Sequence, residues 1–333
     1  MKLSIVVPVY YNEENLPDTI PRLLALRDNI PYELELIFVD DGSKDRSLEI
    51  LLKYQASCPE NILVIKLTRN FGEYSAVQAG LVKTTGDCVA VISADLQDPP
   101  ELLIDMVKNW EKGIKAVFAV RSERDDPKLS KFFSDTFYAL FRRFAIPGYP
   151  KGGFDFVLID RQIVNDLNRI YEKNTNIMTL IYWLGHSYVC IPYNRMKREK
   201  GTSKWTLSKR LKFAIDSFVG FSYFPIRIVS GLGLMFAFAS FVYGAIVLHD
   251  WWSGSVPVPG WTTIMITITF TAGVQMIILG VIGEYLWRTL DQSRKRPMYV
   301  IDTVFKSPLQ DTSSNSLTSA ENKKEYFAKK ETV

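Results

Sequence analysis

Four clusters of polar side chains, each directly after a short apolar run, mark where this sequence could do chemistry. The clusters occupy residues 10–14, 40–43, 69–72 and 95–98. In a mostly parallel sheet, ligands bind beyond the carboxyl ends of the strands. Four polar clusters at four strand ends therefore indicate one shared ligand site.

The fourth cluster carries oxygen ligands at alternate positions, on Asp95 and Gln97. Carboxylate and amide oxygens suit a hard cation such as Mg2+ or Mn2+, which keeps several waters and takes phosphate oxygens directly. An ion held there would neutralise a diphosphate as it leaves. Acidic turns after strands are common, so a purely structural turn is the alternative.

The second cluster begins with Asp40 and Asp41, whose carboxylates could accept hydrogen bonds from a base or a ribose. Gly42 permits a tight turn, and Ser43 can cap the following helix. A plain helix-capping turn explains the same residues equally well.

Strand and helix patterns alternate about every 25 residues, which predicts an α/β fold with a mostly parallel sheet and helices on both faces. Short β-branched runs predict strands at residues 3–9, 35–39, 61–67, 88–93 and 116–120. Leucine spacing and composition predict helices at residues 14–29, 45–54, 74–83 and 101–112.

Length and composition exclude several classes of protein. The 333 residues call for two or more units, and a net charge of +4 gives no reason to expect a nucleic-acid partner. Because the chain has only two histidines, a histidine-based zinc site or a Ser-His-Asp triad is not expected. The three cysteines lack metal-ligand spacing and are expected to be reduced, and an apolar run directly after Met1 predicts no signal peptide.

Two later segments are long and apolar enough to cross a membrane, at about 228–248 and 262–286. A buried core hairpin is the alternative, although Trp252 and Trp261 favour a membrane interface. The connector between the segments has no Lys or Arg, whereas Arg227 and Arg288 flank the pair, which predicts that both termini face the cytosol. Mixed basic and apolar residues at 207–221 predict an amphipathic helix on the membrane surface.

Taken together, the motifs VPVYYNEE, VDDGS, NFG and ADLQDP resemble those of family 2 glycosyltransferases of the GT-A fold. In detail the chain resembles the polyprenyl-phosphate branch, which includes dolichol-phosphate mannose synthases and bactoprenol glucosyltransferases. The resemblance covers residues 1 to about 300, including both apolar segments. Each motif is weak alone, and their combination is specific.

The resemblance implies a role for each matching residue. A nucleotide-sugar pocket would be lined by Pro8, Tyr10, Glu14, Asp40, Asp41, Asn70 and Gly72. Asp95 and Gln97 would hold Mg2+ or Mn2+. Asp155, near the acceptor, would be catalytic together with Asp95. The lipid phosphate would be bound by Arg195, Arg198, Ser203 and Lys204.

The sequence departs from the family pattern at three positions. Ser93 stands where many relatives carry the first Asp of an Asp-Ala-Asp triplet, so the metal shell would rely on Asp95, Gln97 and phosphate oxygens. Phe154 and Val157 replace the Gly and Arg of the motif around Asp155.

The expected organisation is a cytosolic GT-A catalytic domain at 1–205 and a membrane-surface helix at 206–225. Two transmembrane helices would lie within 226–288, followed by a cytosolic return segment at 289–305 and a disordered tail at 306–333. The protein would be a multi-pass protein of the inner (plasma) membrane. Family tendency also suggests a homo-oligomer.

The resemblance implies inverting, metal-dependent transfer of a hexose, with glucose from UDP-glucose favoured, onto a polyprenyl phosphate such as undecaprenyl phosphate. GDP-mannose is the alternative donor. A processive polysaccharide synthase is a rival reading, but the Gln-x-x-Arg-Trp string of such enzymes does not occur. A non-catalytic membrane scaffold or lipid carrier is a second rival, disfavoured by the joint presence of Asp40, Asp95 and Asp155.

Overall fold

A computed structural model describes residues 1–122, 128–173, 175–196, 207–253 and 260–306. The chain divides into two compact units. Of the described residues, those within 1–139, 148–209 and 297–306 form the first unit, and those within 140–147 and 210–296 form the second.

The first unit is built on a mixed sheet of eight strands in the order β7-β5-β6-β4-β1-β2-β3-β8. Four pairings are parallel (β1 with β2, β1 with β4, β2 with β3 and β5 with β7), and β6 and β8 pair antiparallel. The strands are β1 (Lys2–Val9), β2 (Glu33–Asp40), β3 (Ile62–Leu67), β4 (Cys88–Val91), β5 (Ala116–Arg121), β6 (Phe156–Asp160), β7 (Tyr188–Tyr193) and β8 (Ile301–Phe305).

Helices connect these strands on both faces of the sheet. They are α1 (Leu16–Leu24), followed by a 3-10 turn at Ala25–Asp28, α2 (Ser47–Ser57), α3 (Glu73–Leu81), α4 (Leu102–Glu111), α5 (Lys128–Phe144), α6 (Arg161–Leu167) and α7 (Ile177–Trp183). The division between the units falls within α5, after Ala139.

The central strands are apolar on both faces because helices cover both faces. Ile5, Val6 and Val7 of β1 are all fully buried, as are Ile37 and Phe38 of β2. Because side chains on both faces of these strands are buried, the sequence shows a continuous apolar run and lacks the alternation of a half-exposed strand. The predicted α/β fold, with a mostly parallel sheet and helices on both faces, is confirmed.

Strand register brings the polar clusters together along the edge of the sheet that is formed by the carboxyl ends of its parallel strands. Val9 pairs with Asp40 at the ends of β1 and β2, and Asp40 pairs with Lys66 near the end of β3. The antiparallel β6 starts at this same edge, where Phe156 pairs with Ala119 near the end of β5. Asp155, directly before β6, therefore lies at the edge that carries the polar clusters.

The sheet ends in a strand that the sequence patterns did not predict. β8 lies in the segment interpreted as a simple return, 289–305, and pairs antiparallel with β3. Its last residue, Phe305, is 2% exposed. This strand is therefore part of the core of the first unit, although it follows both apolar segments in the sequence.

The second unit contains α8 (Leu207–Phe221, with 207–209 assigned to the first unit), α9 (Phe224–Trp252) and α10 (Trp261–Ser293). Within α9 and α10, Phe224–Ile246 and Phe270–Ser293 are long and apolar enough to cross a membrane. Large apolar side chains such as Leu234 and Phe241 are exposed, unlike those of a core helix in a soluble protein.

Polar and aromatic contacts hold the second unit together at one end of its long helices. Arg288 of α10 pairs with Asp216 of α8 at 2.5 Å, and the Phe144 ring stacks on Phe224 at a centroid distance of 3.8 Å. The Tyr285 hydroxyl donates to the Ser222 carbonyl over 3.2 Å. Side chains at 207–213 lie outside the described part of the chain, so the amphipathic surface of α8 stays a prediction.

We expect Gly42→Ala to destabilise the protein more than Gly113→Ala does. Both glycines have positive φ, +72° and +89°, where an alanine costs about 1–2 kcal/mol. At Gly42 a Cβ would also lie 2.6 Å from the backbone carbon of Arg69, whereas nothing lies within 4 Å at Gly113. Crowding of this kind adds about 1–3 kcal/mol. Thermal unfolding of the purified variants measures the difference, and equal losses would contradict the close approach of these two turns.

Candidate active site

A buried carboxylate joins the acidic turn after β4 to the end of β7. Asp98 is 1% exposed and accepts hydrogen bonds from the hydroxyls of Ser93, at 3.2 Å, and Tyr193. The Arg195 Nε atom lies 3.6 Å from Asp98 Oδ1. Burial raises the pKa of Asp98, and the nearby Arg195 cation opposes that shift. Asp98 was not among the predicted site residues.

Backbone contacts reinforce the same junction. The Met196 amide donates to the Gln97 carbonyl over 2.9 Å, and the Gln97 Nε2 atom donates to the Met196 carbonyl over 3.3 Å. The predicted metal-binding turn and the start of the predicted phosphate-binding segment, at Arg195, are therefore direct neighbours. Arg198, Ser203 and Lys204 lie outside the described residues, and their roles stay predictions.

The acidic turn holds Asp95 in a defined position. The Asp95 Oδ1 atom accepts from the Ser93 hydroxyl at 2.8 Å and from the Gln97 amide at 3.3 Å. Leu96 between them has a φ of +54°, an uncommon conformation for a non-glycine residue and one that tends to persist at functional sites. Ser93 stands at the position where the family pattern has a further Asp. Its hydroxyl orients Asp95 by a hydrogen bond.

The donor set of this turn fits a cation that arrives with a diphosphate. No group of three His, Cys, Asp or Glu side chains among the described residues could hold an ion by itself. Mg2+ and Mn2+ need only one or two carboxylates when phosphates supply further oxygens. Because the Gln97 Nε2 atom faces the Met196 carbonyl, Oε1 is the amide atom with which Gln97 would bind such an ion.

Asp155 is paired with an arginine from the neighbouring strand. The Arg121 Nη2 atom lies 2.6 Å from Asp155 Oδ2, with the Asp155 side chain 49% exposed and Arg121 16% exposed. The preceding residue, Phe154, stacks on Phe118 of β5 at a centroid distance of 4.0 Å. The Phe in place of the motif's Gly therefore packs Asp155 against the sheet edge, and Arg121 is a site residue that the sequence analysis missed.

The turns after β2 and β3 are locked together by Asp41. Its carboxylate accepts from the amides of Phe71, at 2.7 Å, and Gly72, at 2.9 Å. Burial raises the pKa of Asp41 to about 6, although these two amides oppose the shift. Asp41 thus shapes the cleft by holding the 70–72 turn in place.

Asp40 has a different environment. It is fully buried, its Oδ1 atom accepts from the Ser43 amide at 3.3 Å, and its Oδ2 atom has no hydrogen-bond partner among the described residues. Burial raises its pKa to about 6. A buried carboxylate with an unsatisfied oxygen destabilises the fold unless a ligand supplies a donor.

The remaining predicted pocket residues lie along the same edge. The Tyr10 amide donates to Asn12 Oδ1 at 2.9 Å, and the Tyr11 amide donates to the Ser43 hydroxyl at 3.1 Å. Pro8 is half-buried in β1, and Glu14 is exposed. The structure thus connects the first and second polar clusters directly.

Glu73 is a second residue that sequence reasoning missed. It is the first residue of α3, it is solvent-accessible, and surrounding protein still excludes enough water to raise its pKa to about 7, with Asp155 and Asp95 adding to the shift. The shift caused by Asp155 and Asp95 shows that Glu73 lies near these two carboxylates. The signal in the sequence was its position directly after Asn70-Phe71-Gly72.

Comparison with known proteins gives the same picture. Residues 4–200 match the model of "Glycosyl transferase family 2". The "Uncharacterized glycosyltransferase YkcC" of Bacillus subtilis (strain 168) is 36% identical over 302 residues, 90% of this chain and 93% of that protein. The "Bactoprenol glucosyl transferase" of Shigella phage SfX is 35% identical over 302 residues, 90% of this chain and 99% of that protein.

Among solved structures, the mannosyltransferase PcManGT from Pyrobaculum calidifontis, in complex with GDP-Man and Mn2+, is similar to 86% of this chain, with 87% of that protein covered. Its TM-score is 0.48 and its sequence identity is 15%, which is too distant to transfer residue roles. The family match and the curated relatives confirm the predicted glycosyltransferase: the chain is an enzyme that belongs to glycosyl transferase family 2.

Proposed function

We propose that this enzyme transfers a hexose, with UDP-glucose as the favoured donor, onto a polyprenyl phosphate at the cytosolic face of the inner (plasma) membrane. The transfer inverts the anomeric configuration and uses Mg2+ or Mn2+. The observation that carries the proposal is the junction at Asp98, which places the acidic turn at Asp95 beside Arg195.

The donor would occupy the edge formed by the turns after β1 to β4. Asp40 offers a buried carboxylate oxygen without a partner, suited to a donor group of the base or ribose. Pro8, Tyr10 and Glu14 would border it, and Asp41 holds the turn that carries Asn70 and Gly72 through the amides of Phe71 and Gly72. The diphosphate would then reach Asp95 and Gln97, where the bound ion supplies positive charge for the leaving nucleotide.

The acceptor phosphate would be held by cations on the other side of the same cleft. Arg195 has a 27% exposed side chain, and Arg198, Ser203 and Lys204 follow it closely in the sequence. Guanidinium and ammonium groups hold a phosphate by charge-assisted hydrogen bonds. Bringing the anionic lipid close to the anionic donor is the main barrier to the reaction. These residues would lower that barrier by holding the lipid phosphate in place.

The reaction itself needs little acid–base help. A phosphate monoester has a second pKa of about 6, so its oxygen is largely ionised at neutral pH. That oxygen attacks the anomeric carbon and forms the new C–O bond while the bond from this carbon to the nucleotide diphosphate oxygen breaks. Electron pairs and charge balance without removal of a proton, and attack from the face opposite the leaving group inverts the configuration.

Asp155 has an orienting role in this scheme. Its ion pair with Arg121 fixes the carboxylate and the guanidinium relative to each other at the sheet edge. Arg121 in turn lies near Asp98 and Tyr193. Asp155 therefore positions the cationic side of the cleft, and removal of a proton from the acceptor is not its task.

The long apolar helices give this reaction its location. A polyprenyl chain stays in the bilayer, so an enzyme that uses it must bring its cleft to the membrane surface. Phe224–Ile246 and Phe270–Ser293 are long and apolar enough to anchor it. The phage relatives are named bactoprenol glucosyl transferases, which favours glucose and an undecaprenyl-type lipid over GDP-mannose chemistry.

The direct test incubates membranes containing the enzyme with undecaprenyl phosphate and labelled UDP-glucose or GDP-mannose. We expect label from UDP-glucose in the organic phase, lost on addition of EDTA and in the Asp95→Asn variant. Lipid-linked label from GDP-mannose and none from UDP-glucose would show that GDP-mannose is the donor and would contradict the choice of UDP-glucose. Absence of lipid-linked label with either donor would contradict the proposal and support the non-catalytic scaffold.

We expect Asp155→Asn to lower kcat by less than roughly tenfold, because the amide still accepts a hydrogen bond from Arg121. Asp155→Ala should lower kcat further, since Arg121 then loses its partner. Steady-state rates with saturating donor and lipid give both values. A loss of about 10²- to 10⁴-fold in Asp155→Asn, the range for removing a general base, would contradict the orienting role.

We expect Asp40→Asn to weaken nucleotide binding and to change how stability depends on pH. The folded-state pKa of Asp40 is raised from 3.8 to about 6, so its neutral form stabilises the fold below pH 4, and this contribution is lost as the pH rises through 6. The variant lacks that titration. Its stability relative to the parent should rise by about 2–3 kcal/mol between pH 4 and 7.5, measured by thermal unfolding.

Asp28→Asn, at an exposed carboxylate, is the control and should follow the parent across the same pH range. A plain helix-capping role for Asp40 predicts the opposite pattern. In that case Asp40→Asn would lose stability at pH 7.5 and bind nucleotide normally.

A further inference from the structure

The strand β8, which follows both long apolar helices, lies directly beside the turn proposed to bind the donor. It pairs with β3 from Val64 opposite Phe305 to Leu67 opposite Ile301. One further hydrogen bond runs from the Thr68 amide to the Val300 carbonyl over 3.0 Å. The next residue along the chain, Arg69, begins the turn 69–72.

The contacts of β8 are those of a core strand. Phe305 is 2% exposed, and its carbonyl accepts a hydrogen bond from the side chain of Gln55, which is 1% exposed. Asp302 forms an ion pair with Lys66 of β3. A buried aromatic anchor, a buried amide and a ladder of backbone bonds together fix this strand on the edge of the sheet.

Among the described residues, the other contacts of the turn beyond β3 come from the turn after β2, from α3 and from the turn itself. The Arg69 backbone lies under Gly42, the Arg69 guanidinium covers the Phe71 ring at 4.1 Å, and the amides of Phe71 and Gly72 bond to Asp41. These contacts link the turn to itself and to Asp41 and Gly42, directly after β2, and the Gly72 carbonyl also accepts a hydrogen bond from the Ala76 amide of α3 at 3.1 Å. The remaining edge of β3 is closed by β8.

We propose that β8 is a positioning element of the donor site: by holding the end of β3, it sets the 69–72 turn and so the affinity for the nucleotide. A strand without its edge partner exposes unpaired N–H and C=O groups and frays from its end. Since β8 is encoded after α10, the donor turn is completed only when the whole helical hairpin has been synthesised. This inference rests on the proposed function for its link to nucleotide affinity.

The test compares the full chain with two shortened chains, one ending at Lys306 and one ending at Pro297. The first lacks only residues 307–333 and is the control; the second also lacks β8. Hydrogen exchange of peptides covering residues 68–74 is measured without any ligand. We expect exchange to rise at least tenfold in the chain ending at Pro297 and to stay within twofold of the full chain in the control. Unchanged exchange in both would overturn the proposal.

Binding of UDP-glucose with Mn2+ to the same three proteins tests the link to the donor. We expect the Kd to weaken at least tenfold only in the chain ending at Pro297, and a peptide of residues 297–306 to restore it. Equal affinity in all three proteins would overturn the positioning role. Failure of the full chain to bind would overturn the proposed donor, while hydrogen exchange still decides the role of the strand.

Point variants cover the case in which the chain ending at Pro297 does not fold. Phe305→Ala removes the buried anchor in the full chain, and Val300→Ala, at a side chain 42% exposed, is its matched control. We expect faster exchange at residues 68–74 and weaker UDP-glucose binding for Phe305→Ala alone. Identical behaviour of the two folded variants would overturn the proposal.

Discussion

The buried carboxylate of Asp98 ties together two parts of the chain that are 95 residues apart, the turn after β4 and the end of β7. The Asp98 carboxyl group, at 1% exposure, is tolerated in the core because Ser93, Tyr193 and Arg195 surround it. Through these contacts, the proposed metal ligands on the turn at Asp95 and the proposed phosphate-binding Arg195 acquire a fixed separation. Positioning of two anionic substrates depends on that separation more than on any single catalytic group.

Acidic groups of the site also lower the stability of the ligand-free protein. Burial raises the pKa values of Asp40 and Asp41 to about 6, and Glu73 reaches about 7 among neighbouring carboxylates. Such groups disfavour the empty folded protein at neutral pH. Natural proteins keep unfavourable groups of this kind where ligands or ions satisfy them. Two buried acids, Asp40 and Asp41, together with the exposed Glu73 nearby, are therefore themselves a sign of a site for cations and polar ligands.

Much of the first unit could be predicted from the sequence because β1 to β5 are largely apolar runs and each of β1 to β4 is followed by a polar cluster. The later strands escaped prediction for physical reasons. β7 is an edge strand whose side chains are only partly buried, so it lacks a continuous apolar run, and β8 is recognised as a strand only from its pairing with β3, far away in the sequence. Asp155 was identified by resemblance, while Arg121 and Asp98 required the tertiary structure, because their partners lie on other strands.

The central claim, that the acidic turn and the basic segment form one cleft, is tested most directly by a double-mutant cycle on Asp98→Asn and Arg195→Gln. The quantity to measure is kcat/KM for undecaprenyl phosphate in the parent, both single variants and the double variant. A shared cleft predicts a coupling free energy of about 1 kcal/mol or more between the two sites. Additive effects, within about 0.3–0.5 kcal/mol, would mean that the two groups act independently and would contradict this account.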